Sequence, residues 1–293
     1  MQIKLHIGVH KTATTHLQSI LESKKTNIHD NARLHIATPE NFRQQWLPRF
    51  LKYTHTKELH DKHKLLEIAP HKGTWLISEE NFSGVPYDFI KTNGIYPYLQ
   101  QRLHLFTDLF TPADIRVFIS IRSYETFYRS IYLEIIRNNG YIPFSSYYKD
   151  AEFKQYSWKT VIESLLHCLP QNKITFWQYE EYTTVLPTLM HKLTGETLDK
   201  ECTHLVNKKL RVSLSCKALQ ELESYAKNNS QIASKEMVEY FYNKYPANET
   251  NGFFEPFDTA TVEYYQQKYQ HDIDEIIRLY PQINYITGKA DDR

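Results

Sequence analysis

Four short apolar runs punctuate the first two-thirds of the chain, each bounded by polar or turn residues: Ile3–Ile7, Thr74–Ser78 (TWLIS), Ile115–Ile121 (IRVFISI) and Ile174–Tyr179 (ITFWQY). They are near-continuous and rich in β-branched residues, which predicts central strands of a parallel sheet, covered on both faces. The intervening segments change to a 3.6-residue period. Leu17, Ile20 and Leu21 mark a helix directly after the first strand. Thr126–Arg137 carries Phe127, Ile131 and Ile135 on one face, and Trp158–Leu169 repeats Trp158, Val161, Ile162, Leu165, Leu166 and Leu169 before Pro170 stops it. Beyond Tyr179 the pattern is mainly helical. Ser213 or Ser215 is placed to cap a helix with Ala218, Leu219, Leu222 and Tyr225, and a last helix runs from about Thr259 to Leu279 ahead of Pro281. The aromatic-rich stretch Tyr240–Phe257 between them reads as a loop or lid. Strands alternating with helices predict an α/β fold, a three-layer parallel sheet flanked by helices. Without repeats or low-complexity linkers, residues 1–293 read as one domain, with the sheet in about 1–180 and a helical C-terminal portion in about 181–293.

In open parallel sheets, ligands gather at the carboxyl ends of the strands. The first strand ends in LHIGVHKTATTHLQ, where Gly8 is followed by Lys11, Thr12, Ala13, Thr14 and Thr15 and then at once by a helix. A tight strand-to-helix turn collects unpaired N–H groups and the positive end of the helix dipole. A lysine and threonine hydroxyls beside them suit a phosphate or sulfate. A Thr-rich turn also serves simply as a helix cap, and a lysine there is often only solvated. The segment does not match the Walker loop G-x-x-x-x-G-K-[ST], because Ala13 stands where a second glycine is needed, and this argues against an ATP or GTP hydrolase. After the second strand come Ser78-Glu79-Glu80-Asn81, two carboxylates that are either base candidates or a solvated turn. Arg122 follows the third strand, with Ser130 eight residues on, a pair that can grip an anion from two directions or leave Arg122 in a surface ion pair. Tyr179-Glu180-Glu181 follows the fourth, offering a ring for a base and a carboxylate to fix neighbouring backbone.

Composition narrows the options. Lys and Arg number 35 against 34 Asp and Glu, so no global basic field calls for a nucleic-acid partner. The 14 histidines are scattered without zinc-site spacing, and His55, His60 and His63 read as surface residues. Three widely spaced cysteines (Cys168, Cys202, Cys216) fit a reducing compartment. No run approaches the roughly 18 apolar residues of a membrane helix, and MQIKLHIGV has no signal-peptide layout, so the expectation is a cytoplasmic chain with no integral membrane segment.

Together these strand-end segments resemble the sulfotransferases that use 3′-phosphoadenosine-5′-phosphosulfate (PAPS). His10-Lys11-Thr12-Ala13-Thr14-Thr15 resembles that family's loop for the 5′-phosphosulfate. Arg122 and Ser130 resemble its 3′-phosphate element at the characteristic spacing, and Tyr179-Glu180 resembles an element whose tyrosine lies near the adenine. The H-K-T-x-T-T-x-L-Q form and S-E-E-N look most like bacterial relatives that sulfate glycans or glycolipids. The likeness covers roughly residues 1–215 in ordered motifs. Two places depart from the pattern. Many relatives have glycine at position 13, where alanine is comfortable only at negative φ. Asn207–Ser213 matches a nucleotide-closing basic loop loosely, with Lys208, Lys209 and Arg211 as contacts or as a solvated turn.

The resemblance implies sulfuryl transfer from PAPS, with PAP as product and no metal, to a glycan, glycolipid or other small acceptor. Thr12 to Thr15 would hold the phosphosulfate, Lys11 would offset charge on the leaving oxygen, and Arg122 and Ser130 would hold the 3′-phosphate. Glu80 is the preferred base, with Glu79 and then His10 behind it. A P-loop small-molecule kinase, or a non-catalytic nucleotide- or glycan-binding relative, is the alternative. The acceptor and the oligomeric state are not legible, since the aromatics at Tyr147, Tyr148, Tyr156, Tyr240, Phe241, Tyr242 and Tyr245 could line a sugar cleft but read first as helix-packing residues.

Overall fold

The structure, a computed structural model, describes residues 1–28, 34–37, 39–92, 94–197, 214–229 and 233–288. Six strands form one all-parallel sheet: β1 (Gln2–Ile7), β2 (Leu34–Ala37), β3 (Thr74–Ser78), β4 (Asp114–Ile121), β5 (Ile174–Gln178) and β6 (Asn284–Ile286). Their order is β2-β3-β1-β4-β5-β6. The longer helices among the described residues are α1 (Thr14–Ile28), α2 (Leu47–Thr56), α3 (Leu59–Ile68), α4 (Leu99–Leu109), α5 (Tyr124–Asn139), α6 (Trp158–Leu166), α7 (Tyr182–Thr194), α8 (Cys216–Asn229), α9 (Lys235–Lys244) and α10 (Thr259–Leu279).

The strands are apolar on successive residues because each face meets its own helical layer. On one face Leu76, Phe118 and Trp177 pack under Leu17, Ile20 and Leu21 of α1 and Val185, Leu189 and Leu193 of α7. On the other, Ile3, Leu5, Ile7, Val117, Ile119 and Phe176 share a core with Phe106 of α4, Phe127 and Ile131 of α5, Ile162 of α6 and Ile276 of α10. The three-layer α/β expectation therefore holds.

The strand order has one reversal that bears on the site. From β1 the chain moves outward to β2 and returns to β3, then crosses to β4 on the other side of β1 and continues outward through β5 and β6. The connections leave β1 and β4 in opposite directions, and α1 and α5 lie on opposite faces, so a crevice opens at the carboxyl ends of this pair.

Some details differ from the sequence reading. β2 and β6 are additional strands, and β6 pairs with β5, so the sheet extends beyond residue 180. Lys235–Lys244 is helical, so the first part of the Tyr240–Phe257 stretch belongs to α9 and not to a lid. Tyr147, Tyr156 and Phe241 are buried in the core, which decides for packing at these positions, while Tyr240 is exposed. Ser215 caps α8, accepting a hydrogen bond from Ala218 N–H at 2.9 Å, and Ser213 lies outside the described residues. No helix among the described residues is long and apolar enough to cross a membrane.

One buried carboxylate ties the C-terminal helix to the sheet edge. Asp272 of α10 accepts hydrogen bonds from the Tyr124 hydroxyl, Ser157 Oγ at 2.9 Å and Trp158 N–H at 2.9 Å. It thus caps α6 from another element and holds the starts of α5 and α6 together.

Candidate functional site

The Gly8–Thr15 turn leaves β1 and enters α1 through two strained residues. Lys11 (φ 66°) and Ala13 (φ 61°) both lie in the left-handed region, with Thr12 between them outside it. L-residues adopt this region at a cost of about 1–2 kcal/mol each, and alternation of this kind turns successive N–H groups toward one concavity, an anion nest. The negative φ that would make Ala13 comfortable is not what the fold uses. Gly8 is needed beneath the turn, since a Cβ there would lie 2.3 Å from Thr14 Oγ1. The α1 ladder begins with Leu17 N–H donating to Ala13 O at 3.0 Å. The N–H groups of Thr14, Thr15 and His16 precede that bond, and the first turn contains no acidic residue to occupy them.

The side chains of the turn divide their roles. Thr12 is buried and donates its hydroxyl to Val9 O at 2.6 Å, closing the turn. Thr14 is 5% exposed and its Oγ1, which lies close against Gly8, has no hydrogen-bond partner, an orphaned buried polar atom at the turn. Thr15 is exposed. Lys11 reaches across to α5, its Nζ lying 3.3 Å from Glu134 Oε2.

Arg122, at the end of β4, joins the elements together. Its Nε donates to Thr126 Oγ1 at 3.0 Å, and Nη1 donates to Lys11 O and lies 3.5 Å from Ser130 Oγ. The guanidinium stacks 4.4 Å above the Tyr179 ring. Its hydrogen bonds among the described residues all go to neutral oxygens, and burial pulls its pKa down, outweighing the opposing charges of the nearby Glu180 and Glu125. Its own carbonyl is held by Trp158 Nε1–H at 2.7 Å. Glu180 accepts from Ser123 N–H at 3.0 Å and from the Tyr269 hydroxyl at 3.0 Å, so it fixes the backbone at the start of α5. Lys11, Arg122, Ser130 and Tyr179, from three strand ends, are therefore one contiguous cluster.

The acidic pair after β3 splits. Glu79 is fully buried, its carboxylate bound by Arg43 Nε at 2.7 and 3.0 Å and by Asn81 N–H at 2.9 Å. Glu80 is 20% exposed, with Oε1 3.1 Å from Arg43 Nη2. His10 bridges the β1 and β3 ends. Its N–H donates to the Tyr96 hydroxyl at 3.0 Å, its Nδ1 lies 3.0 Å from the same hydroxyl, and its Nε2 lies 3.2 Å from Asn81 Oδ1. One proton arrangement satisfies all three contacts: Tyr96 donates to Nδ1, and Nε2–H donates to Asn81. Burial lowers the His10 pKa to about 4, outweighing the opposing hydrogen bond to Asn81, and the imidazole is neutral at pH 7.

A cavity of ≈ 630 Å³, lined in part by Met1, Leu66, Leu109 and Phe110, lies at the amino-terminal edge of the sheet and includes none of these residues. The polar chemistry sits at the opposite edge, so that edge is the candidate site. Arg211, with Lys208 and Lys209, lies outside the described residues. Sequence reasoning missed Glu134, Asn81 as a side-chain partner, Tyr96 and Arg43. Glu134 follows Ser130 by one helical turn, and i, i+4 spacing is the signal that reveals it. Tyr96 and Arg43 arrive from distant segments that carry no local signal. No family model and no curated protein matches the chain.

Proposed function

We propose that this chain is a sulfotransferase that moves a sulfuryl group from PAPS to a hydroxyl of a glycan, glycolipid or other small acceptor. The observation that carries the reading is Arg122, a half-buried cation whose hydrogen bonds among the described residues all go to neutral oxygens although Glu180 and Glu125 lie nearby, and which stacks on Tyr179 and touches both the Lys11 backbone and Ser130. A guanidinium hydrogen-bonded only to neutral oxygens gains a stronger, charge-assisted partner when a ligand brings an anionic group to it. Two anion-binding elements joined through one arginine suit a nucleotide with anionic groups at both ends better than a single phosphate. The turn fits as well, with its orphaned Thr14 hydroxyl and the Gly8 position that admits no side chain.

PAPS supplies the sulfuryl group and departs as PAP. The N–H groups at the start of α1 and the Thr14 hydroxyl hold the anionic 5′ end, and the Lys11 ammonium offsets charge that develops on the leaving oxygen. Arg122 and Ser130 hold the 3′-phosphate, which separates PAPS from ATP. Tyr179 presents its ring beside the base. Of the three base candidates, Glu79 is committed to Arg43 and Asn81, and both His10 nitrogens are committed to Tyr96 and Asn81. Glu80 also pairs with Arg43 through Oε1 but is the partly exposed carboxylate of the two, and it accepts the acceptor hydroxyl's proton as the new oxygen–sulfur bond forms.

The test compares thermal stabilisation by PAP and by ATP, followed by labelled-sulfate transfer from PAPS to a panel of glycans and glycolipids. PAP is expected to raise the melting temperature at concentrations where ATP does not, and label is expected to move to an acceptor. Stabilisation by ATP with magnesium and none by PAP would replace this reading with a phosphoryl-transfer enzyme.

A further inference from the structure

Glu134 is the carboxylate that contacts the ammonium of the anion loop. It projects from α5 one turn beyond Ser130, its side chain is 16% exposed, and its Oε2 lies 3.3 Å from Lys11 Nζ. Lys11 is therefore tied at both ends, the ammonium by Glu134 of α5 and the carbonyl by Arg122, which precedes α5 at the end of β4 and lies beside Ser130. Asn138, a further turn along, donates to Glu134 Oε1 at 3.0 Å and steadies the carboxylate. An anion that takes Lys11 must first displace this carboxylate and then coexist with it.

We infer that Glu134 is a positioning residue that holds the Lys11 ammonium while the nest is empty and surrenders it to the incoming anion, and so sets the affinity of the loop for anions. The inference rests on the sulfotransferase reading only in taking the loop as an anion site. In the empty protein the pair holds the lysine extended toward Glu134 of α5. On binding, Lys11 exchanges one carboxylate for the ligand, and Glu134 keeps Asn138 as its neighbour. Removing the charge at position 134 frees Lys11 beforehand and removes a repulsion, which strengthens binding.

The experiment measures binding of PAP and of inorganic pyrophosphate by calorimetry to the wild-type chain and to Glu134→Gln, Lys11→Met and the double variant. Glu134→Gln is expected to tighten both ligands by about fivefold, as one partly buried ion pair implies. In the Lys11→Met background the same substitution is expected to have a clearly smaller effect. Glu134→Asp, which keeps the charge but shortens its reach, is expected to fall between wild type and Glu134→Gln, and serves if Glu134→Gln does not fold. Unchanged or weaker binding by the folded 134 variant overturns the inference, as does a tightening that persists in full without Lys11. Loss of turnover with unchanged binding also overturns it, since that is the behaviour of a base. Pyrophosphate binding without PAP binding would instead sink the sulfotransferase reading and leave the inference to the pyrophosphate data. Absence of any anion binding in every variant would remove both.

Discussion

The guanidinium of Arg122 lies 4.4 Å above the ring of Tyr179 while one of its amino groups donates to the carbonyl of Lys11, so a single side chain spans the ends of β4, β5 and β1. Arg122→Ala is expected to weaken PAP binding by roughly ten- to a hundredfold, the range for a lost charge-assisted hydrogen bond. Adenosine-5′-phosphosulfate lacks the 3′-phosphate and is expected to weaken far less. Titration of both ligands checks the difference, and equal losses would mean that Arg122 only braces the Lys11 turn.

Position 13 allows a clean test of strain. Ala13 is held at φ 61°, where glycine is unstrained. Ala13→Gly should recover part of the roughly 1–2 kcal/mol that a left-handed L-residue costs, less the extra chain entropy of glycine. The expected result is a melting temperature about 2 °C higher with PAP affinity retained. A lower melting temperature would show that the turn is not strained at this position.

The two adjacent carboxylates should respond oppositely to the same substitution. Glu79→Gln removes the buried partner of Arg43, which is itself partly exposed and keeps Glu80, and should destabilise by roughly 1–2 kcal/mol, lowering the melting temperature by about 3 °C. Glu80→Gln should leave stability and PAP binding nearly intact and abolish sulfate transfer. Full transfer activity in Glu80→Gln would exclude it as the base.

Acid should loosen the fold through its buried imidazoles. Burial lowers the His10 pKa from 6.5 to about 4 and that of His6, packed against Trp177, to about 3. The unfolded chain therefore takes up these protons first, and stability rises with pH across this window. The contribution is whole above about pH 6.5 and is lost as the pH falls toward 4, amounting for His10 to on the order of 3 kcal/mol. Melting temperatures from pH 7 to 4.5 should fall, and more shallowly in His10→Gln. Imidazole proton shifts that report charged His10 at pH 5.5 would contradict this.

How much could be read from the chain depended on whether a segment's role was local. β1, β3, β4 and β5 are legible because each is apolar enough to be buried on both faces. β2 is four partly buried residues (LHIA), and β6 is three (NYI) just past a proline, both edge strands whose identity comes from a neighbour's free backbone. Lys11, Arg122, Ser130 and Tyr179 were legible because each sits at a fixed offset from a strand end. The commitment of Glu79 to Arg43 was not, because that partner lies 36 residues earlier in a separate segment and only the folded layers bring the two together. The positive φ of Ala13 escaped for a related reason: a conformation disfavoured by the residue itself is imposed by its surroundings.

The reversal of strand order at β1 and β4 has a mechanical consequence. α1 rests on one face of the sheet and α5 on the other, yet both start at the carboxyl ends of the same adjacent strand pair. A nucleotide gripped by both closes a circuit through all three layers, like a staple driven across the edge of a laminate. Neither outer layer can then peel away without releasing it. Amide protons in the first turns of α1 and α5 should slow their exchange together when ligand binds, as a single unit, even though no strand hydrogen bond between β1 and β4 has changed.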